Sequence, residues 1–384
     1  MISLSHFYPK MVLVKPDIDQ FAKIKVVGIG GGGGNAINSM IVNQKIKGVE
    51  FVAVNTDAQA LMKSKADIKL RIGENITRGL GSGADPEVGS QSAEESKEKL
   101  KDIFVETDMV FLTCGMGGGT GTGGSPIIAE LAKTAGALTV AVVTKPFVFE
   151  GTRRMVIAED GIEELKDKVD TLIIIPNQRL LDIVDKKMTL LEAFRIADSV
   201  LGEAVQGISD IITTPGLINV DFADVKAVMR DAGSALMGIG TGSGENRASK
   251  AAREAIASPL LELSVDGAKG LLFNIVGGAD MTMNEVNEAA KIISEAADAD
   301  ANIIFGAVID EEMTDQLKIT VIATGFDETR KRLQDLVGRP EPVIKEEGVE
   351  QEGAKKEKKE EKPLHKEVPI EDEFDIPAFL RRNR

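Results

Sequence analysis

A chain of 384 residues is longer than one hydrophobic core ordinarily serves, so two globular parts plus tails are expected. Its net charge of −15, the lack of Trp and a single Tyr argue against a nucleic-acid binder, which needs clustered Lys and Arg and aromatic stacking surfaces. One cysteine, Cys114, and two histidines, His6 and His365, argue against an internal disulfide, a zinc cluster and a His general base.

Residues 1–22 read as a flexible N-terminal segment without a signal-peptide pattern, and no uncharged apolar run reaches the roughly 20 residues of a membrane span. The expectation is a protein that stays inside the cell, with no direct membrane insertion. From Lys23 onward, KIKVVGIG (23–30), EFVAVNT (50–56), DMVFLTCG (108–115), ALTVAVVTKP (137–146) and TLIIIPN (171–177) read as buried strands. Helical spacing lies between them, at 36–45, 86–104, 126–136 and 153–169. This alternation predicts an α/β fold with a doubly wound, mostly parallel sheet over 23–188, whose ligands bind at the carboxyl ends of the strands.

A long central helix is expected over 189–214, stopped by Pro215 and Gly216. A second, smaller α/β domain follows over 215–330, with strands in GSALMGIGTG, KGLLFNIVGG, ANIIFGAVI and LKITVIATG. Its helices are expected at 247–257 and 284–297. Residues 338–370 are charged and low in complexity, so a disordered linker is expected there. At 371–384 the apolar anchors Phe374, Ile376, Phe379 and Leu380 return, as in a short binding peptide or a frayed end.

Two glycine-rich segments each run from a strand into a helix. In VVGIGGGGGNA (26–36), Gly28, Gly30 and Gly33 satisfy G-x-G-x-x-G, a weak dinucleotide signal by itself. The second, CGMGGGTGTGGSP (114–126), adds the Thr120 and Thr122 hydroxyls. Two such cradles at the ends of two strands suit a triphosphate held from both sides. There is no G-x-x-x-x-G-K-[ST] motif and so no P-loop lysine. Phosphate charge therefore falls to amide dipoles, Mg²⁺ and Arg154. A third cluster, RGLGSGADPE (78–87), reads equally as a switch-like loop or as a plain connection.

VVGIGGGGGNA, VNTDAQAL (54–61), GLGSGADPEVG (79–89), GMGGGTGTG (115–123), TKPFVFEGTRRM (144–155), IPN (175–177) and NVDFADV (219–225) together resemble the FtsZ family of bacterial cell-division GTPases, homologues of tubulin. The resemblance runs in order from about Ile24 to Gly325, and DIPAFLRR in the tail is similar to the family's partner-binding peptide. It implies GTP and GDP as ligands, with Mg²⁺ on the phosphates and no protein metal site. Gly31, Gly32, Gly33, Gly34 and Asn35 would hold phosphate, as would Gly117, Gly118, Gly119, Thr120, Gly121, Thr122 and Gly123. Glu150 and Arg154 match positions at the ribose and phosphate side, and Asn177 and Asp198 match the guanine-reading pair. A carboxylate at Asp198 accepts from both guanine N1–H and N2–H, so its loss is expected to cost roughly ten- to a hundredfold in GTP affinity.

The same resemblance makes Asp221 and Asp224 the catalytic pair, acting on the nucleotide of the next subunit in a head-to-tail filament. It further implies membrane-tethering division proteins as partners of Phe374–Arg382, and a cytoplasmic protein concentrated at midcell. Two other readings compete. One is a Rossmann dehydrogenase binding NAD, with Asp57 as the ribose acid; the other is a filament protein that binds nucleotide without hydrolysing it.

Overall fold

The computed structural model describes residues 22–183, 188–214, 216–218, 220–258, 265, 267–311 and 313–326. Pro215, Asn219, both histidines, the N-terminal segment, the charged linker and the C-terminal peptide lie outside them. The strands are β1 (Ile24–Ile29), β2 (Val49–Asn55), β3 (Ile68–Arg71), β4 (Met109–Gly115), β5 (Leu138–Lys145), β6 (Thr171–Pro176), β7 (Gly233–Ser243), β8 (Gly270–Gly277), β9 (Asn302–Ile309) and β10 (Gln316–Thr324). They form one sheet in the order β3-β2-β1-β4-β5-β6-β7-β10-β8-β9. Only the two ladders made by β10 are antiparallel among those described.

The continuous apolar runs have a direct cause, since both faces of the sheet are covered. In β4, Met109 and Phe111 join one core while Val110, Leu112 and Cys114 join the other. The first core is closed by the central helix Leu190–Thr213, the second by helices Thr120–Thr134 and Thr152–Lys166. Thr189 starts the central helix with a capping box, its hydroxyl accepting from Glu192 N. The helix buries Ile208 and Ile211 in the same core as Met237 on β7, Leu272 on β8 and Ile322 on β10. It therefore backs both halves of the sheet, which are joined by a ladder of only three pairs, Thr171↔Gly233 to Ile173↔Ala235.

The β-strand order reverses between β1 and β4. The helix after β1 packs on one face and the helix after β4 on the other. A crevice opens at the carboxyl ends of strands at such a point. Both helices start earlier than their apolar spacing suggests: Gly30–Ser39 begins at the first glycine and Thr120–Thr134 six residues before Pro126. Glycines carry no hydrophobic period, so the pattern had no means of marking these first turns. The expected helix over 86–104 divides at Ser96 into Pro86–Glu95 and Lys97–Ile103. The Ser96 hydroxyl there accepts from Gly73 N at 3.2 Å.

Helices Pro86–Glu95 and Thr120–Thr134 meet backbone to backbone at glycines. A Cβ on Gly123 would overlap the Pro86 carbonyl oxygen, whereas one on Gly34 would meet nothing within 4 Å. Gly123→Ala should therefore destabilise the protein by about 2 kcal/mol or more through overpacking. Gly34→Ala should stabilise it by roughly 0.5–1 kcal/mol through helix propensity. Urea unfolding of the two variants checks the contrast, and equal midpoints would contradict it.

Candidate active site

The switch point holds a cavity of about 470 Å³, within the range of small-molecule sites. Its floor is made of two helix N-termini. Ile29 precedes the first helix and Gly119 the second, and neither supplies a side-chain cap. The leading amides of both helices are left for something else to satisfy, and they carry the positive ends of the helix dipoles. The glycines divide by role. Cβ atoms on Gly31 and Gly118 would point into open space, whereas Gly33 lies hard against the Thr113 carbonyl and Gly28 against that of Gly33. The former keep the cavity free, and the latter let helix and strand close up.

Gly117, at φ +90°, turns the chain so that its N–H donates to Thr122 Oγ1 at 2.9 Å. Arg154 crosses from the other side. Its Nη1 donates to Glu150 Oε2 at 2.6 Å and its Nε to Gly117 O at 3.4 Å. Glu150 Oε1 in turn accepts from Phe147 N at 2.9 Å. Thr120 Oγ1 is 2.6 Å from Thr56 Oγ1 and 3.0 Å from Ser82 Oγ, so hydroxyls from three segments meet over the second helix.

The remaining wall is one stripe of the central helix. Phe194, Ala197, Asp198 and Leu201 recur at i, i+3, i+4 and i+7 and line the cavity together. Beside them, Asn177 is buried with its Oδ1 lacking a hydrogen-bond partner. Burial pushes the Asp198 carboxyl up to about 7. An unpartnered buried acceptor and a desolvated acid both ask for a ligand that brings N–H donors. Among the described lining residues Arg154 is the sole cation, set against Asp57, Glu150 and Asp198. With Arg154 paired to Glu150, an anion held here relies chiefly on amides and on a cation that it brings with it.

Of the residues singled out from the sequence, Gly31, Gly32, Asn35, Gly118, Gly119, Thr120, Gly121, Glu150, Arg154, Asn177 and Asp198 line this cavity. Gly34 lines an adjoining cavity of about 330 Å³. Gly33, Gly117, Thr122 and Gly123 stand behind the lining and shape it. The third glycine cluster contributes Gly81, Ser82 and Ala84 to the wall, so it is part of the cavity as well as a connection. Thr56, Ser82 and Phe194 were missed as site residues. The end of β2 would have pointed to Thr56, and a four-residue step back from Asp198 to Phe194.

Asp221 and Asp224 lie elsewhere. Both are exposed, Asp224 in the first turn of the helix Phe222–Met229 and Asp221 just before it as its cap, accepting from Ala223 N. That helix ends against Thr171, the first residue of β6, at the amino edge of the parallel strands. The central helix makes the same crossing. Asp198 faces the cavity, and Thr213 lies beside Gly48, just before β2 begins. At 1.5 Å per residue about 22 Å of helix separates the two. A subunit's own acids thus sit on the opposite edge from its cavity.

The raised pKa of Asp198 has a stability consequence. Between pH 4 and 7 the folded chain holds a proton on Asp198 that the unfolded chain has lost, so stability from this group falls as pH rises through that window. Asp198→Asn should make the nucleotide-free protein melt higher than the parent at pH 8 and about equally near pH 4. Asp210, pushed up to about 6 by burial, is common to both proteins and cancels in the difference. Melting curves across pH check this, and a difference independent of pH would contradict it.

Residues 23–185 match the model of the tubulin/FtsZ family GTPase domain, and residues 233–327 match the FtsZ family C-terminal domain. Among solved structures the chain is similar to an empty dimer of FtsZ from M. jannaschii, at 50% identity over 79% of this chain and 88% of that one, with a TM-score of 0.76. A variant of that protein gives 49% identity over 80% and 92%, with a TM-score of 0.77. CetZ2 from Haloferax volcanii, solved as a GTPγS-bound protofilament, shares the fold at 19% identity over 82% and 100%, with a TM-score of 0.68. The dehydrogenase reading is not favoured by any of these. With both characteristic domains present in order, the chain belongs to the tubulin/FtsZ family of GTPases.

Proposed function

We propose that this chain is a GTP hydrolase that assembles head to tail, with Asp221 and Asp224 of one subunit completing the site around the nucleotide of the next. The observation that carries this reading is the placement of the two acids, exposed on the edge of the sheet opposite the cavity. Stacking in one direction brings the two edges together, and a head-to-tail contact that does not close gives an open filament. Homo-oligomerisation has support in the dimer and protofilament forms of the similar structures.

In this account, residues 23–188 hold the nucleotide, the central helix 189–214 spans the sheet, and 215–330 form the part that activates the neighbour. Amides of Gly31, Gly32 and Gly118–Gly121 donate to phosphate oxygens at the two helix starts. Asp198 takes the two guanine donors in its ionised form, with Asn177 beside it and Phe194 against the base. The Thr56, Ser82 and Thr120 hydroxyls and the Asp57 carboxylate fit a hard cation such as Mg²⁺, which when bound offsets the triphosphate charge. The neighbour's Asp221 and Asp224 orient the attacking water and draw on its protons as the γ-phosphoryl group leaves. Loss of that group then weakens the contact between subunits.

The finer role is that of a division-ring filament in the cytoplasm at midcell. The charged linker 338–370 gives the peptide Phe374–Arg382 reach, and hence a high effective concentration, toward membrane-tethering division proteins.

Two experiments test this reading. Asp224→Ala should bind GTP and assemble as the parent does, yet lose at least about tenfold in phosphate release, the lower end of what a water-positioning group supplies. Full activity in that variant would refute the role. Removal of Phe374–Arg384 should leave the GTPase rate unchanged and abolish co-sedimentation with a membrane-tethering partner; a lost GTPase rate would contradict the model.

A further inference from the structure

Helix Thr120–Thr134 joins the two edges of the sheet. Gly119, Thr120 and Gly121 line the cavity at its start. Its far end, about 20 Å along the axis at 1.5 Å per residue, carries Lys133. The Lys133 ammonium donates to Asp231 Oδ1 at 2.9 Å and to Val169 O at 3.4 Å, and it pairs with Asp170 Oδ1 at 3.1 Å. Asp170 is buried, and its other oxygen accepts from Thr139 N at 2.8 Å, which ties this half of the clamp to β5 and β6.

Asp231 lies two residues beyond the acid-bearing helix Phe222–Met229, in left-handed backbone at φ 49°. The last turn of that helix is held by threonines. Thr171 Oγ1 donates to the Met229 carbonyl, and Thr324 Oγ1 to that of Val228 at 3.2 Å. These bonds satisfy carbonyls that a helix end leaves without partners. The Lys133–Asp231 pair fixes where the chain goes next. An ion pair with exposed partners adds little stability. Its contribution here is geometric, because the helix it anchors is short and carries both acids at its other end.

We infer that Lys133 is a positioning residue, which through Asp231 fixes the base of the acid-bearing helix and so aims Asp221 and Asp224 at the neighbouring subunit's nucleotide. The inference rests on the shared-site reading above. It makes the helix that presents phosphate-binding amides to a subunit's own nucleotide also the strut for the acids that serve the next one.

Lys133→Met should lower phosphate release per assembled subunit roughly two- to fivefold, the most that an exposed ion pair can contribute to holding the helix in place. GTP affinity of dilute protein should stay within about twofold, since ground-state binding is untouched. Lys133→Arg should recover most of the rate. Asp231→Asn, which keeps the left-handed backbone, should act in the same direction. The double variant should be no worse than Lys133→Met alone.

The deciding measurement is complementation by mixing. Lys133→Met subunits keep their nucleotide site, and Asp198→Ala subunits keep their acids, so a mixture should release phosphate well above the sum of the two alone. Asp224→Ala mixed with Asp198→Ala is the reference. Complementation in both mixtures supports the inference. Complementation in the reference only would overturn it, because the damage would then lie in the Lys133 subunit's own site. Failure of both would reject the shared-site reading and the inference with it. Should Lys133→Met fail to fold, Asp231→Asn goes through the same mixing with the same outcomes.

Discussion

The structure depends on two helix N-termini brought side by side without caps of their own. A sheet whose strand order reverses between β1 and β4 places the following helices on opposite faces, so their first turns converge above the strand ends. Gly31 and Gly118 place no side chain in that space, while Gly28, Gly33, Gly119 and Gly123 let the helices close against neighbouring backbone behind it. The result is a concentration of unsatisfied amides in a cavity whose lining is otherwise acidic. Such a place favours a polyanion that arrives with its own cation over one that needs a lysine.

The rest of the chain is organised around the distance from that point to the other edge. Two long helices make the crossing, one on each face: the central helix carries Asp198 toward the cavity, and Thr120–Thr134 carries Lys133 away from it. Both are packed into extensive cores, so neither bends easily. The helix start that lines the cavity is thereby connected through one rigid element to Lys133 and its contact with Asp231, just beyond the helix that carries Asp224. Tertiary packing of this kind holds the cavity and the two exposed acids at opposite ends of one rigid frame.

Much of this was legible in the residues. The strands from β1 to β6 other than β3 are marked by apolar runs because burial on both faces leaves no room for polar alternation, and β7 to β10 carry such runs although Thr241, Ser243 and Ile309 are exposed. The β3 strand is not so marked, since it is a four-residue edge with Lys69 and Arg71 exposed. Glycine clusters marked the cradles but hid the helix starts, as Gly30 and Thr120 begin helices with no apolar period. The Asn177 and Asp198 pair came from family resemblance alone. Only the folded chain adds the reason, an orphaned acceptor beside an acid that burial has deprived of water. The hydroxyls of Thr56 and Ser82 come from segments far apart in sequence, and only the fold brings them together at Thr120.

The central claim is that one subunit holds the nucleotide and its neighbour supplies the acids. The most direct test is light scattering with GTP, GDP or ATP in Mg²⁺, with phosphate release followed in parallel over a range of protein concentrations. The account predicts scattering only with GTP above a threshold concentration. It also predicts that phosphate release per subunit is negligible below that threshold and rises with assembly. Phosphate release at an unchanged rate per subunit from dilute to concentrated protein, without scattering, would mean that the site is complete in the monomer and would contradict the account.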